Sequence, residues 1–225
     1  MNGPAARRTQ ADRRAATRVA ILTAAARGLS TYGYANLVLE QVAREAGYTR
    51  GALYHLFANK EELALAVVEW VRDTWVAQVL RPARGETAPL PSLLMLARGH
   101  ALYCRRAAAE RYDPARAMLA LRVEFSGQDH PVGHAVGASI EELEGECAGL
   151  ISAARRDGSV PAGPPARLTA AAFLAVLESV AIEVAGRAPH DVELVERGVR
   201  GVLGVAPAAP AVDAPPQAGS TPALD

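Results

Sequence analysis

The sequence has 225 residues, of which 50% are hydrophobic and 5% aromatic, and its 24 basic residues balance 24 acidic ones. This length and apolar content suit one large or two small globular domains. The most apolar segment, 173–186, contains Glu178 and Glu183 and is shorter than the ~20 apolar residues of a transmembrane helix, which excludes a membrane protein. The polar, Arg-rich amino terminus predicts no secretory signal peptide. Two cysteines, Cys104 and Cys147, are too few for a disulfide framework and indicate a cytoplasmic protein.

The zero net charge conceals an uneven distribution along the chain. Residues 1–60 carry nine basic and three acidic side chains, a net charge of +6, whereas residues 61–225 carry 15 basic and 21 acidic ones, a net charge of −6. A basic amino-terminal part joined to an acidic body is typical of a module that binds a polyanion such as nucleic acid. A solvated basic arm without a partner fits the same distribution, so charge alone leaves both interpretations open.

Helical spacing of apolar residues recurs throughout the chain, and no segment shows the alternation of a β-strand. A first helix is predicted at 17–32, and Gly33 ends it. A second is predicted at 39–46 and a third at 49–56, with Gly47 between them. Two short helices joined by so tight a turn, with a glycine that can adopt a left-handed conformation, are typical of a helix-turn-helix motif.

The rest of the chain is also predicted to be helical. Asn59 and Glu62 have the spacing of a capping box at the start of a fourth helix, which extends towards Leu80. Further helices are predicted at 93–109, 113–127, 130–156, 168–186 and 191–203, with Pro/Gly-rich loops at 81–92 and 158–165. The fold class is therefore all-α, in four segments: a disordered basic arm (1–16), a helix-turn-helix domain (17–60), a larger helical domain (61–205) and a disordered Pro/Ala tail (206–225).

The segment 33–63 resembles the DNA-binding domain of the TetR (tetracycline-repressor-like) family. The resemblance rests on residues at fixed offsets: Gly33-Tyr34, Val42-Ala43, Ala46-Gly47, Thr49 to Tyr54, Phe57 and Asn59 to Leu63. It implies an all-α protein with an amino-terminal three-helix helix-turn-helix domain and a larger helical ligand-binding and dimerisation domain. The close match covers about the first third of the chain, and the rest fits the family only in length and helix content.

The turn and the first residues of the third helix form the candidate DNA-contacting surface. Thr49 can cap this helix, whose free amides and dipole attract a phosphate group. Arg50 projects from its first turn, where a guanidinium can donate two hydrogen bonds to a guanine edge. Tyr48 precedes them and is predicted to touch a thymine methyl group or the DNA backbone, and the resemblance places Gly51 in the same surface.

Three further residues complete the predicted DNA-binding set. Tyr54 lies one turn after Arg50 and can donate to a phosphate oxygen, and His55 is its neighbour. Lys60, the only lysine in the sequence, lies in the first turn of the fourth helix, where its charge opposes the helix dipole. We therefore predict a DNA phosphate as its partner, as the resemblance also implies; the alternative is an ordinary surface lysine.

Two positions depart from the family pattern. Val38 stands where the family usually has Thr or Ser, which caps the second helix and touches a phosphate, so either Asn36 caps one turn earlier or the contact is missing. Leu56 stands where the family often has His, and His55 is the candidate replacement. We predict that neither change removes the helix-turn-helix motif.

The amino-terminal arm has two interpretations that the sequence does not separate. Its arginines are Arg7, Arg8, Arg13 and Arg14. Basic arms of this kind reach into the minor groove of DNA in some proteins. The alternative is a tail that only increases solubility.

The larger helical domain contains two segments suited to an interface. Residues 168–186 are apolar on nearly every side, and residues 192–203 carry a second apolar stripe. The resemblance implies a homodimer formed largely by these last two helices, which spaces two recognition helices for a palindromic double-stranded DNA operator. It also implies a pocket for a small-molecule effector in this domain.

Aromatic, Met and polar side chains at helical spacing are the candidate ligand contacts, although most such residues only form the core. The candidates are Trp70, Trp75, His100, Tyr103, Met118, Arg122 and Phe125. Arg122 and Glu124 stand in an otherwise apolar stretch, where they either anchor a polar ligand group or form a structural ion pair.

Metal and catalytic sites find little support in the sequence. His100 with Cys104, and His130 with His134, are each four residues apart and would place two ligands on one helical face, but no third or fourth ligand is evident. Arg105 and Arg106 beside Cys104 are the only basic pattern that favours a redox-active thiol. No nucleophile elbow, phosphate-binding loop or HExxH motif is present, so we predict no metal, no cofactor and no enzymatic activity.

These observations predict a dimeric, one-component transcriptional regulator. It binds a palindromic operator, usually as a repressor, and a small apolar or amphipathic ligand in the helical domain releases it from DNA. The alternative is a DNA-binding regulator without a ligand, whose helical body only dimerises or binds a protein partner. A helical core without a cavity of roughly 300 Å³ or more would favour that alternative.

Overall fold

The computed structural model describes residues 9–110 and 114–206, and within these ranges the chain is helical and contains no β-strand. Its main helices are α1 (Gln10–Tyr32), α2 (Leu39–Glu45), α3 (Arg50–Tyr54), α4 (Lys60–Trp75), α5 (Pro89–Ala109), α6 (Pro114–Glu124), α7 (Pro131–Arg156), α8 (Ala166–Val184) and α9 (His190–Leu203). The predicted all-α fold class is confirmed.

Helix α1 begins earlier than the sequence analysis predicts. The Thr9 hydroxyl accepts a hydrogen bond from the Asp12 amide and the Asp12 carboxylate accepts one from the Thr9 amide, which together form a capping box. Residues 10–16 are therefore helical, so their assignment to a disordered arm is wrong. The arm's first eight residues and the tail at 207–225 lie outside the described residues.

Helix α4 begins after Asn59 as predicted, but Glu62 reaches back to the amide before the cap residue, and not to that of Asn59 as in a capping box. The Asn59 side chain accepts a hydrogen bond from the Glu62 amide, and the Glu62 carboxylate accepts one from the Ala58 amide at 2.7 Å. Beyond Trp75 the helical path continues through a wider π-helical turn, Val76–Leu80, and a short α-helical turn, Arg81–Ala83. The loop before α5 is therefore shorter than the predicted 81–92.

Two clusters of buried side chains form the interior, and they do not divide at the predicted boundary between residues 60 and 61. The first joins α1, α2, α3 and α4 to residues from α6 and the start of α7, including Leu53, Leu63, Leu121 and Val132. The second joins the end of α4 to α5, the second half of α7, α8 and α9. The helix-turn-helix domain thus shares its core with the body, and α6 packs directly against α1.

Helices α8 and α9 pack against each other and leave apolar side chains on their outer surface. Leu168 on α8 is 64% exposed and Leu194 on α9 is 44% exposed. An ion pair fixes α9 to α5: Arg105 Nε donates to Asp191 Oδ2 at 2.8 Å, and the second guanidinium nitrogen donates to Oδ1. The Asp191 side chain is only 1% exposed and that of Arg105 is 32% exposed, so the pair lies at the edge of the interior.

Candidate DNA-binding surface and ligand cavity

The third helix presents the predicted DNA-contacting residues to solvent. The buried side chains of Leu53 and Phe57 pack its inner side against the first core cluster. Thr49 caps it, since its hydroxyl accepts a hydrogen bond from the Ala52 amide at 3.2 Å. The six predicted residues of this region are all exposed: Tyr48, Thr49, Arg50, Gly51, Tyr54 and His55.

Arg50 makes two solvent-exposed contacts on this surface, an ion pair and a cation–π contact. Its Nε lies 3.1 Å from Glu40 Oε1 on α2, and its guanidinium lies 5.2 Å from the centre of the Tyr54 ring. The Arg50 and Glu40 side chains are 67% and 45% exposed, so their ion pair contributes at most about 1 kcal/mol. Arg50 can therefore exchange Glu40 for a base edge at small cost.

Lys60 has a partner within the protein. Its Nζ donates a hydrogen bond to the Ala35 carbonyl at 3.0 Å and lies 4.7 Å from the centre of the Tyr34 ring. The side chain is half-buried, unlike the six residues of the recognition helix region. It therefore links the start of α4 to the segment between α1 and α2, and a phosphate contact would use its remaining hydrogen-bond donors.

We predict that Lys60→Ala weakens DNA binding equally for all sequences. Loss of one phosphate contact per subunit should lower the slope of log K against log salt by about 0.9 per contact. The measurement is a salt titration of binding to a preferred and a scrambled duplex. Affinity equal to that of the wild type at every salt concentration would rule out the phosphate contact and leave the Ala35 hydrogen bond as the role of Lys60.

The start of α2 lacks a side-chain cap. Val38 occupies the cap position without a capping hydrogen bond and is 50% exposed. Asn36 does not replace it, because its Nδ2 donates to the Tyr32 carbonyl at the end of α1. Leu56 is half-buried against the first core, whereas His55 is exposed. No side chain therefore caps the first turn of α2, in which the Gln41 amide bonds back to the Val38 carbonyl.

Two features near this surface were not predicted. Arg18 on α1 places its guanidinium 5.0 Å from the centre of the Phe57 ring, and the exposed Arg13 and Arg14 lie on the same helix. The Glu124 carboxylate, at the end of α6, accepts hydrogen bonds from two backbone amides between α1 and α2. A sequence pattern does not reveal either contact, because the first depends on how α1 packs against the segment between α3 and α4, and the second on how α6 packs against the segment between α1 and α2.

An apolar cavity of about 100 Å³ lies in the body between α4, α5, α6, α7 and α8. Four of the predicted ligand contacts line it: Trp75, His100, Tyr103 and Met118. Its other walls are mostly aliphatic, from Val71, Ile140, Leu143, Leu174 and Leu177. Polar groups reach it from Arg72, Ser139 and Glu178.

Three predicted ligand contacts do not line this cavity. Trp70 packs against the first core, and the Phe125 ring lies against the rings of Tyr34 and His130 at centroid distances of 5.0 and 4.2 Å. Arg122 forms an ion pair of 2.6 Å with Glu178, and not with Glu124. The Arg122 guanidinium therefore contacts the cavity-lining Glu178 carboxylate without lining the cavity itself, since the two side chains pair between α6 and α8.

His100 is a neutral group in the cavity wall. Trp75 Nε1 donates a hydrogen bond to His100 Nδ1 at 2.8 Å, which requires that nitrogen to be unprotonated. Burial lowers the pKa of His100 to about 4, against a smaller opposing effect of a hydrogen bond with the Leu177 backbone. The imidazole thus gives the cavity a polar group without a charge.

We predict that protonation of His100 destabilises the protein in mild acid. The pKa of His100 is about 4 in the folded state and about 6.5 in the unfolded state. The contribution of the neutral imidazole to the free energy of unfolding, up to about 3 kcal/mol, is therefore complete above pH ~6.5 and is lost as the pH falls towards about 4. The measurement is the free energy of unfolding across this range for the wild type and His100→Gln. Parallel curves for the two proteins would contradict the assignment.

Glu178 was recognised in the sequence only as an interruption of an apolar helix. In the structure its carboxylate faces the cavity, and burial raises its pKa, while the Arg122 guanidinium opposes that shift. The carboxylate is 29% exposed and Arg122 is 50% exposed. It is therefore the acidic group of the cavity wall.

The two residue pairs considered as metal ligands differ in whether their members meet: those of the first lie close together, whereas His134 of the second contacts an aspartate. His100 Nε2 lies 3.6 Å from Cys104 Sγ, and His134 lies 3.2 Å from Asp129. Within residues 9–110 and 114–206, no group of three or more His, Cys, Asp or Glu side chains is placed to hold a metal ion. Burial raises the pKa of the Cys147 thiol to about 12, so this cysteine is a poor redox nucleophile.

Comparison with known proteins agrees with this geometry. Residues 21–67 match the family model of bacterial regulatory proteins, tetR family. The HTH-type transcriptional regulator RutR of Escherichia coli K12 is 37% identical over 78 residues, which are 35% of this chain and 36% of RutR. The A-factor receptor protein of Streptomyces griseus is 32% identical over 124 residues, 55% of this chain and 42% of the receptor. The chain thus matches less than half the length of these curated relatives.

The fold is shared over a longer range. The crystal structure of AibR in complex with isovaleryl coenzyme A and operator DNA superposes with a TM-score of 0.68 at 20% identity, over 83% of this chain and 98% of AibR. Among the described helices, none has the length and apolar character needed to cross a membrane. Residues 21–67 thus match the amino-terminal domain of the tetR family of bacterial regulatory proteins, and the chain shares the fold of AibR over 83% of its length.

Proposed function

We propose that the protein is a cytoplasmic, dimeric, one-component transcriptional regulator that binds a palindromic DNA operator and acts as a repressor. The observation that carries this proposal is the recognition helix, which is anchored by Leu53 and Phe57 and presents Arg50 and Tyr54 to solvent. Such a surface suits the major groove, where Arg50 reads a guanine edge and Tyr54 donates to a phosphate.

The proposed dimer uses the outer surfaces of α8 and α9. Leu168 and Leu194 are exposed there, although large aliphatic side chains are usually buried. A two-fold axis through this surface would bury both and repeat the recognition helix on the other subunit. The operator then contains two inverted half-sites, because the DNA mirrors the symmetry of the protein.

The proposed effector is a small apolar or amphipathic molecule in the body cavity. The aromatic rings of Trp75 and Tyr103 and the aliphatic walls suit an apolar part, and His100 and Glu178 suit a polar group. AibR, which has the same fold, was crystallised with isovaleryl coenzyme A and operator DNA. A larger groove of about 550 Å³ between α1, α4 and α7 is less suitable, since its lining includes three glutamates and two arginines.

One observation favours a second candidate function, a regulator that needs no ligand. The cavity measures about 100 Å³, whereas pockets for drug-sized ligands measure roughly 300 Å³ or more. A ligand of that size enters only if the helices that line the cavity move apart. Without such movement the body serves only for dimerisation or for a protein partner.

The test of DNA binding is selection of bound fragments from a random duplex pool by the full-length protein, followed by salt titration of the enriched sequence. An inverted repeat that resists scrambled competitor and loses affinity steeply with salt supports the proposal. Enrichment of no sequence would overturn it. Sedimentation of the free protein and of Leu194→Glu then tests the dimer, since the variant should be monomeric.

The effector is tested on the same complex. A compound that raises the melting temperature should weaken DNA binding, and DNA should weaken its binding by the same factor, because coupling between two sites is reciprocal. If a compound that binds the cavity leaves DNA affinity unchanged, the ligand-independent alternative is favoured.

A further inference from the structure

Glu124 makes an unusual contact between the body and the helix-turn-helix domain. Its Oε2 accepts a hydrogen bond from the Tyr34 amide at 2.6 Å, and its Oε1 accepts one from the Ala35 amide at 2.7 Å. Hydrogen bonds to an ionised carboxylate are stronger than neutral ones, and here both oxygens are used. The two amides are consecutive and lie in the segment between α1 and α2.

The position of Glu124 indicates that its carboxylate stabilises the segment between α1 and α2 and not its own helix. It is the last residue of α6, where the negative end of the helix dipole disfavours a carboxylate. Its neighbours complete the contact: Gly33 has a φ of +74°, and a Cβ there would lie only 2.8 Å from Glu124 Oε2. The backbone conformation thus favours a glycine at 33, and a Cβ there would displace the carboxylate from its present position.

The contacted segment also holds the start of α4. While the Ala35 amide donates to Glu124, the Ala35 carbonyl accepts from Lys60 Nζ at 3.0 Å. The Tyr34 ring packs between the Lys60 ammonium and the rings of Phe125 and His130. Residues 34–35 are therefore held from one side by α6 and from the other by α4.

Helix α6 connects this contact to the cavity. Ala115 and Met118, nearer its start, line the cavity wall, and Arg122 pairs with Glu178 on α8. Apolar contacts from Ala117 and Leu121 place the same helix in the first core with α1. A shift of α6 at the cavity therefore changes the position of the Glu124 carboxylate against the helix-turn-helix domain.

We propose that Glu124 is a positioning residue through which α6 sets the orientation of the helix-turn-helix domain on the body. This inference rests on the proposed DNA-binding function. In a dimer, the orientation of each domain determines which separation of half-sites both recognition helices reach together. Glu124 thus controls operator affinity and spacing without touching DNA.

The test compares Glu124→Gln with Glu141→Gln, a control that removes an exposed carboxylate from α7. Glutamine keeps the shape but offers one acceptor, so one of the two amides faces an N–H group. We expect Glu124→Gln to bind the selected operator about tenfold more weakly. Its affinity for an operator with one base pair inserted between the half-sites should be within about twofold of its affinity for the original operator. The control Glu141→Gln should prefer the original spacing as strongly as the wild type does.

A purely structural hydrogen bond would lower the melting temperature but leave the spacing preference unchanged, and that result overturns the proposal. If Glu124→Gln folds poorly, Glu124→Asp replaces it in the test. This variant keeps the charge but retracts it by one methylene, and it should show the same loss of spacing preference. Amide hydrogen exchange without DNA separates this inference from the proposed function. Faster exchange throughout α2 and α3 with an unchanged body supports it even if the wild type selects no operator, and faster exchange confined to residues 34 and 35 overturns it.

Discussion

Arg50→Ala is expected to weaken binding to the selected operator by about 2–6 kcal/mol per dimer, because each bidentate contact with a guanine contributes about 1–3 kcal/mol and a palindrome contains two. Arg50 is 67% exposed at the start of α3, and its contacts with Glu40 and Tyr54 do not anchor it in the core. Folding should therefore be almost unaffected. The measurement is the affinity for the operator and for duplexes substituted at each half-site position.

The specificity pattern distinguishes this prediction from a general loss of charge. Arg50→Ala should lose discrimination at one base pair of each half-site, whereas Lys60→Ala should weaken all sequences equally. Arg156→Ala, which removes an exposed arginine at the end of α7, is the matched control for net charge. An unchanged preference at every half-site position in Arg50→Ala would show that Arg50 does not contact a base.

Arg105→Met is expected to lower the free energy of unfolding at neutral pH by more than the loss of an exposed ion pair does, because it leaves the carboxylate of Asp191 without its cation. Asp191 is 1% exposed, and the hydrogen bond from the Val192 amide at 2.8 Å does not neutralise it. The loss concerns the contact between α5 and α9, so dimerisation should weaken as well. The measurement is denaturant unfolding at several pH values.

The pH dependence identifies the cause. In the wild type the hydrogen bonds from Arg105 hold the pKa of Asp191 below its usual range, so this stabilisation is present above about pH 4 and is lost as the pH falls through the folded-state pKa. In Arg105→Met the unpaired carboxylate favours its protonated form, so the difference from the wild type should shrink in acid. Arg106→Met, which removes an exposed guanidinium bonded to Gln78, should cost less than about 1 kcal/mol. Equal losses in the two variants would contradict the buried-charge explanation.

Local signals in the sequence determined the helices and the exposed surface of α3. Thr49 and Asn59 cap α3 and α4 as predicted, since a capping hydrogen bond joins residues three apart and needs no tertiary contact. Arg50, Tyr54 and His55 are exposed for a similar reason, because apolar Leu53 and Phe57 turn the opposite side of a short helix inward. The missed start of α1 was also local: the Thr9 and Asp12 capping box was present in the sequence but not recognised.

Contacts between distant segments were decided only by tertiary packing. His100, Tyr103 and Met118 line the cavity whereas Phe125 does not, because helical spacing predicts which residues share a face but not which helix that face meets. Lys60 was predicted from its unfavourable place at a helix start, but its Ala35 partner, 25 residues away in sequence, appears only when α1 and α4 pack. Glu124 bonds to amides 89 and 90 residues away, and no pattern of residue types encodes a backbone acceptor or donor at such a distance. The sequence therefore specified where the chain is helical and which helix is exposed, and packing determined which side chains connect the body to that helix.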